Sequence, residues 1–233
     1  MNTFQKRFLN SLILLGLIVV IVFTNATPMF LIRFQSDLGG SVKWFLVLVY
    51  TVIVAFLIIW LWKWYQKGVD ADQAKQKMSW KDVGIILLFY LAGRVVAVVG
   101  TVINQLVSGN QMSMNDQAIF GLTAGLKEGF LPFTICFLLV IGIVAPIIEE
   151  LVFRGLASQL LFSGGNKWLA AIVTSLIFGL LHASNLIEWI MYTGLGIVFY
   201  LAYARRRNIK DSILLHMLNN IPSAIFIAFT IFS

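Results

Sequence analysis

The stretch FLPFTICFLLVIGIVAPIIEELVFRGLASQLLF, residues 130–162, decides how this chain is read. Apolar runs lie on both sides of Glu149 and Glu150, and Pro146 stands where it can kink a helix. Two readings compete. The stretch is either one long kinked helix crossing a membrane once, or two helices crossing it twice.

The rest of the chain separates them. Of its 233 residues 60% are hydrophobic and 12% charged, whereas soluble domains carry about a quarter charged residues. A surface this apolar is solvated by lipid. At about 20 residues per crossing, the remaining candidate spans are 8–24, 44–64, 83–107, 168–185, 187–204 and 212–232. The first follows a basic start, but Asn25-Ala26-Thr27 is a poor cleavage site, so it reads as an uncleaved helix.

Much of the net charge of +7 lies in three places: Lys6 and Arg7, Lys63 to Lys81, and Arg205 to Lys210. That is the bias of cytoplasmic loops, not a nucleic-acid patch. With a single crossing at 130–162, the loops 1–7, 65–82, 163–167 and 205–211 share one side. With two, Arg205-Arg206-Arg207 lands outside. The single crossing predicts an all-α polytopic transmembrane bundle of about seven spans, with the N-terminus cytoplasmic. Residues 1–107 supply three spans. Residues 108–129 form an external loop whose Ile119, Leu122 and Leu126 suit the membrane surface, and 130–233 hold the unusual chemistry. Cys136 is the one cysteine, which leaves no disulfide.

The chain has two histidines, His182 and His216, both inside predicted spans. Of ten acidic residues, Glu149 and Glu150 alone fall deep in an apolar run. Ionisable groups at membrane depth are costly and face a partner or a wet cavity. At about 1.5 Å per residue, Glu149 and His182 both lie roughly 21 Å from the loop joining their helices. His216 lies about 12 Å deep and Asn220 about 18 Å. Glu150 and Arg154 are an i,i+4 ion pair, which leaves Glu149 turned about 100° away towards the interior. A free carboxylate near an imidazole can take a proton from water. A second imidazole and an amide can then hold an oxyanion.

Glu149-Glu150-Leu151-Val152-Phe153-Arg154 reads EExxxR, Phe178 to His182 FxxxH, and His216 to Asn220 HxxxN. Together, over about residues 130–222, they resemble the CAAX-protease and bacteriocin-processing (CPBP, or Abi) intramembrane proteases. The resemblance implies that Glu149, helped by His182, activates water. It implies that His216 and Asn220 form the oxyanion site, with Glu150 and Arg154 in support. The preferred mechanism needs no cofactor; the alternative is Zn²⁺ on Glu149, His182 and His216. The expected partners are membrane lipid and a membrane-associated peptide or protein, and the expected setting is a bacterial plasma membrane. Bacteriocin immunity or peptide maturation are roles the resemblance suggests.

Other readings stand beside these. The cluster could be a proton or ion relay in a transporter, or the chain a non-catalytic membrane scaffold. Asn219 competes with Asn220, Phe178 reads as packing, and Arg94 reads as snorkelling, with a partner in Glu149, Glu150 or a substrate carboxylate as the alternatives. The tryptophans read as an interfacial belt, and Gly155, Gly179, Gly194 and Gly196 as points of close helix approach.

Overall fold

Residues 130–162 resolve into one helix. In a computed structural model, which describes residues 3–109, 112, 117, 121, 123–162 and 166–232, it runs without a break over Leu131–Leu161. Seven long helices are described: α1 Thr3–Arg33, α2 Gly40–Lys67, α3 Trp80–Ser108, α4 Leu131–Leu161, α5 Lys167–His182, α6 Leu186–Arg206 and α7 Ile209–Phe232. No strand occurs among the described residues. All but α5 are long and apolar enough to cross a membrane, and α5 is apolar but only 16 residues long. Large apolar side chains such as Phe56, Val95 and Phe229 face outward. The protein is an integral, multi-pass membrane protein.

Polar contacts near the helix ends fix how the helices alternate. At one end Asn10 donates to the Leu160 carbonyl, and Gln159 to that of Tyr65. There Arg205 and Arg206 also grip Asp82 and the fully buried Asp211. At the other end Gln35 bonds Gly125 and Phe130, and Asn104 meets Asn185 and Glu188. The start of α1, the end of α2, the start of α3, the ends of α4 and α6 and the start of α7 therefore gather together. Part of the basic 205–210 stretch is thus an ion-paired clasp.

Helix α4 is the axis. Every residue from Ile148 to Ala157 is buried, as expected of a helix enclosed on all sides. Its course includes two π-helical segments, Val140–Val144 and Leu151–Leu156. In the first, the Ala145 N–H reaches back to the Val140 carbonyl. The next carbonyl, Ile141, then faces Pro146, which has no N–H to give. Asn220 donates to that carbonyl at 3.1 Å.

Three expectations change. Helix α1 does not stop near residue 24 but continues through Asn25 and Pro28 to Arg33. Pro28 deprives the Thr24 carbonyl of its helical donor, and the Tyr50 hydroxyl replaces it at 2.9 Å. His182 is the last residue of α5, not an interior one. Leu126 is 2% exposed, packed with Ile32, Phe133 and Ile227 inside the protein and not laid on a membrane surface; Ile119 and Leu122 lie outside the described residues.

The glycines behave as read. A Cβ on Gly196 would come 2.9 Å from Ser175 Cβ, and one on Gly179 would come 2.8 Å from the Thr193 amide. These two residues let α5 and α6 touch. The tryptophans divide: Trp44, Trp80 and Trp168 are exposed, whereas Trp189 donates to the Leu176 carbonyl and braces the same helix pair.

Candidate active site

Glu149 and Glu150 are successive residues of a buried helix, so their side chains diverge by about 100° and meet different neighbours. Glu150, with no exposed surface, takes the structural side. Its Oε1 lies 3.1 Å from Arg154 Nη1 and 3.0 Å from His216 Nδ1. Arg154, equally buried, also donates to the Gly196 carbonyl at 2.9 Å. Its guanidinium lies over the Phe178 ring, 4.7 Å from the centroid. A charge this deep needs such a set of partners to be tolerated.

Glu149 faces the other way, into a cavity of about 290 Å³. Its Oε2 is 3.7 Å from His182 Nε2 and 4.0 Å from His216 Nε2. Glu149, His182 and His216 thus meet at one point, and Asn220 lines the same cavity. Each imidazole is oriented by its far nitrogen. His182 Nδ1 lies 2.8 Å from the Phe178 carbonyl, which can only accept, so Nδ1 donates there and Nε2 is turned to Glu149. His216 Nδ1 donates to Glu150 and likewise turns Nε2 inward. Phe178 stacks on His182 at 4.3 Å and meets His216 edge-on at 5.7 Å, while Phe199 stacks on the other imidazole, His216, at 4.5 Å. The aromatic residues form a wall that holds both rings.

The asparagines work in series. Arg94 Nη1 donates to Asn219 Oδ1 at 3.3 Å, and Asn219 Nδ2 donates to Asn220 Oδ1 at 3.1 Å. Asn220 completes the chain by bonding the carbonyl freed in the first π segment. Arg94 lines the cavity and pairs with neither Glu149 nor Glu150.

Sequence reasoning missed Asn25. This residue of α1 donates to Glu149 Oε1 at 2.7 Å, opposite the histidines. The missed signal was an amide side chain between Thr24 and Thr27, in a run that continues as helix across Pro28. As for a metal, no three His, Cys, Asp or Glu side chains among the described residues are grouped to hold an ion. In the set Glu149, His182 and His216 the facing atoms stand 3.7 and 4.0 Å apart, a little wider than the roughly 3.4 Å between neighbouring ligands of a tetrahedral zinc.

Residues 131–222 match the family described as type II CAAX prenyl endopeptidase Rce1-like. The chain is 29% identical to the putative membrane peptidase YdiL of Bacillus subtilis over 143 residues, 59% of this chain and 55% of that one. It is 33% identical to the membrane-embedded CAAX protease MroQ of Staphylococcus aureus over 130 residues, 53% of this chain and 49% of that one. A third relative, UPF0177 protein YvdC of Lactococcus lactis, is 26% identical over 211 residues, 84% of this chain and 69% of that one. The chain thus spans about half the length of the first two relatives. No solved structure matches it. Helices α4 to α7, which carry the paired glutamates, both histidines and the asparagines, span the matched segment, and homology over it supports membership in the CPBP/Abi family of CAAX-protease-like membrane proteins.

Proposed function

We propose that the protein is an intramembrane endopeptidase in which Glu149 activates water against a peptide bond of a membrane-associated substrate. The observation that carries this is the meeting of Glu149 Oε2 with His182 Nε2 and His216 Nε2 at 3.7 and 4.0 Å inside one cavity. Gaps of that size suit a water held between Glu149 and His182.

In the proposed reaction the water oxygen attacks the scissile carbonyl carbon while Glu149 takes its proton. The C=O bond opens to an oxyanion. His216 turns Nε2 towards it, its ring held by the 3.0 Å contact of Nδ1 with Glu150. Asn220 has a second amide hydrogen beyond the one spent on Ile141, and that hydrogen serves the same oxygen. Collapse of the tetrahedral intermediate breaks the C–N bond, and the proton held by Glu149 passes to the leaving amine. Catalytic roles thus fall to Glu149, His182, His216 and Asn220, with Glu150 and Arg154 supporting. No metal enters these steps.

The gathering of helix ends supports seven crossings, with α5 as a short one, and the basic residues of the loops beside the start of α1 favour a cytoplasmic N-terminus. The substrate class is a lipid-associated peptide or protein, and bacteriocin immunity or peptide maturation fits a bacterial setting. The test is cleavage of a membrane-associated reporter peptide by wild type, Glu149→Gln, His182→Ala and His216→Ala in detergent or vesicles, each with and without a chelator. Loss of at least 100-fold in kcat is expected for Glu149→Gln. Wild-type rates in all three variants overturn the assignment, and chelator loss reversed by Zn²⁺ overturns the metal-free route.

A further inference from the structure

The catalytic carboxylate is held from outside the family-matched segment. Asn25 belongs to α1, 106 positions before residue 131, where that segment begins. Its Nδ2 is 2.7 Å from Glu149 Oε1, the shortest contact recorded for that carboxylate. The amide orientation is fixed by chemistry, because the reverse would press Oδ1 against a carboxylate oxygen. Oδ1 is buried, with no hydrogen-bond partner among the described residues. Asn25 also lines the cavity that Glu149, His182 and His216 share.

The position is costly for the helix that supplies it. Pro28 follows three residues later, and the carbonyl it orphans at Thr24 is rescued by Tyr50 of α2. That rescue lets α1 stay helical past Asn25 and present the amide to α4. Leu17 and Ile21 on the same helix are buried against the α4 cluster, which fixes its register.

From this we infer that Asn25 is the positioning residue of the catalytic glutamate. It holds Oε1 with a charge-assisted hydrogen bond, so that Oε2 alone is presented to the histidines and the water. This rests on the reading of Glu149 as the base. The charged or titratable groups around that carboxylate are His182 from α5, His216 from α7, and Glu150 and Arg154 from its own helix, with Arg94 of α3 and Tyr192 of α6 on the cavity wall. The Asn25 contact is a neutral donor to the oxygen that faces away from the imidazoles. Without it the carboxylate can rotate, and both oxygens compete for the same partners.

The experiment uses the full chain. Asn25→Leu, near in size and at home in an apolar helix, is compared with Asn25→Gln and Asn25→Asp, with Thr27→Ala as a control in the same helix. Loss of one hydrogen bond to a charged group predicts about a tenfold or greater fall in kcat for Asn25→Leu with KM little changed. Asn25→Gln, which keeps the donor, recovers part of the rate. Asn25→Asp, which sets a carboxylate against Glu149, falls at least as far as Asn25→Leu. In the Glu149→Gln background, Asn25→Leu costs nothing further.

A readout free of any substrate is labelling of Glu149 by a hydrophobic carbodiimide, which attacks protonated carboxyls. Asn25→Leu labels faster than wild type, because Oε1 has lost the donor that occupies it. Wild-type kcat and wild-type labelling in Asn25→Leu, with Glu149→Gln inactive, overturn the inference and leave the protease reading standing. An active Glu149→Gln overturns the protease reading instead. If Asn25→Leu does not fold, additive losses for Asn25→Gln and Glu149→Gln overturn the positioning role.

Discussion

Glu150 holds His216: its Oε1 accepts from Nδ1 at 3.0 Å while the same oxygen pairs with Arg154. Two adjacent glutamates therefore predict two different failures. Glu150→Gln leaves the fully buried Arg154 guanidinium without its counter-charge, a defect of about 3–5 kcal/mol. Glu149→Gln disturbs a group that faces a cavity and pairs with no arginine. Thermal unfolding in detergent is expected to fall by roughly 6 °C or more for Glu150→Gln and Arg154→Leu. Glu149→Gln is expected to melt near wild type and to lose cleavage. The double variant Glu150→Gln, Arg154→Leu recovers stability over either single one, because no lone charge remains. Equal melting of Glu149→Gln and Glu150→Gln contradicts this division.

How far the sequence discloses this arrangement depends on the range of each interaction. The Glu150–Arg154 pair follows from helical spacing, and α4 as one helix follows from the charge of the loops around it. The union of Glu149, His182 and His216 follows once their depths are compared. Asn25 and Asn219 do not follow, because each is defined by a partner more than a hundred residues away, on a helix whose rotation spacing does not fix. Prolines add to the difficulty. Pro146 reads as a kink and the first span stops short of Pro28, yet each orphaned carbonyl finds a distant donor, in Asn220 and in Tyr50. The sequence marks the fault in the helix but not the side chain that repairs it.

That repair separates the two asparagines. Asn220 fills the Ile141 carbonyl and has a second amide hydrogen, whereas Asn219 lies one step further out, between Asn220 and Arg94. Asn220→Ala is expected to lower kcat by about 10²–10³-fold, the usual cost of one oxyanion donor. Asn219→Ala, which loosens Asn220 without removing it, is expected to cost about tenfold or less. Steady-state kinetics on one reporter peptide decide the matter, and the reverse order would move the oxyanion role to Asn219.

Close helix contact at Gly196 also has a measurable consequence. A Cβ there meets Ser175 Cβ at 2.9 Å and its backbone Cα at 3.1 Å, so the α5 backbone has to move. Gly196 also presents the carbonyl that receives Arg154. Gly196→Ala is expected to cost about 1–3 kcal/mol and to lower cleavage, since α5 carries His182. A compensating Ser175→Gly in the same chain removes the nearest side-chain obstacle and is expected to restore part of the melting temperature. Unchanged melting of Gly196→Ala shows that the α5–α6 contact is looser than these distances.

Phe178 tests whether orientation of the imidazoles matters apart from their chemistry. Its ring stacks on His182, touches His216 edge-on and lies under the Arg154 guanidinium, so one side chain borders three members of the site. Phe178→Leu keeps most of the volume and leaves untouched the carbonyl to which His182 Nδ1 donates. What it removes is the flat surface that fixes ring angles and the π face under the cation. We expect kcat to fall about tenfold with KM little changed, because the groups remain but no longer hold the attacking geometry. Melting should fall by only a few degrees, consistent with losing about 1 kcal/mol of aromatic and cation–π contact. Retained kcat in a folded Phe178→Leu protein would mean that hydrogen bonds at the two Nδ1 atoms suffice to aim the rings.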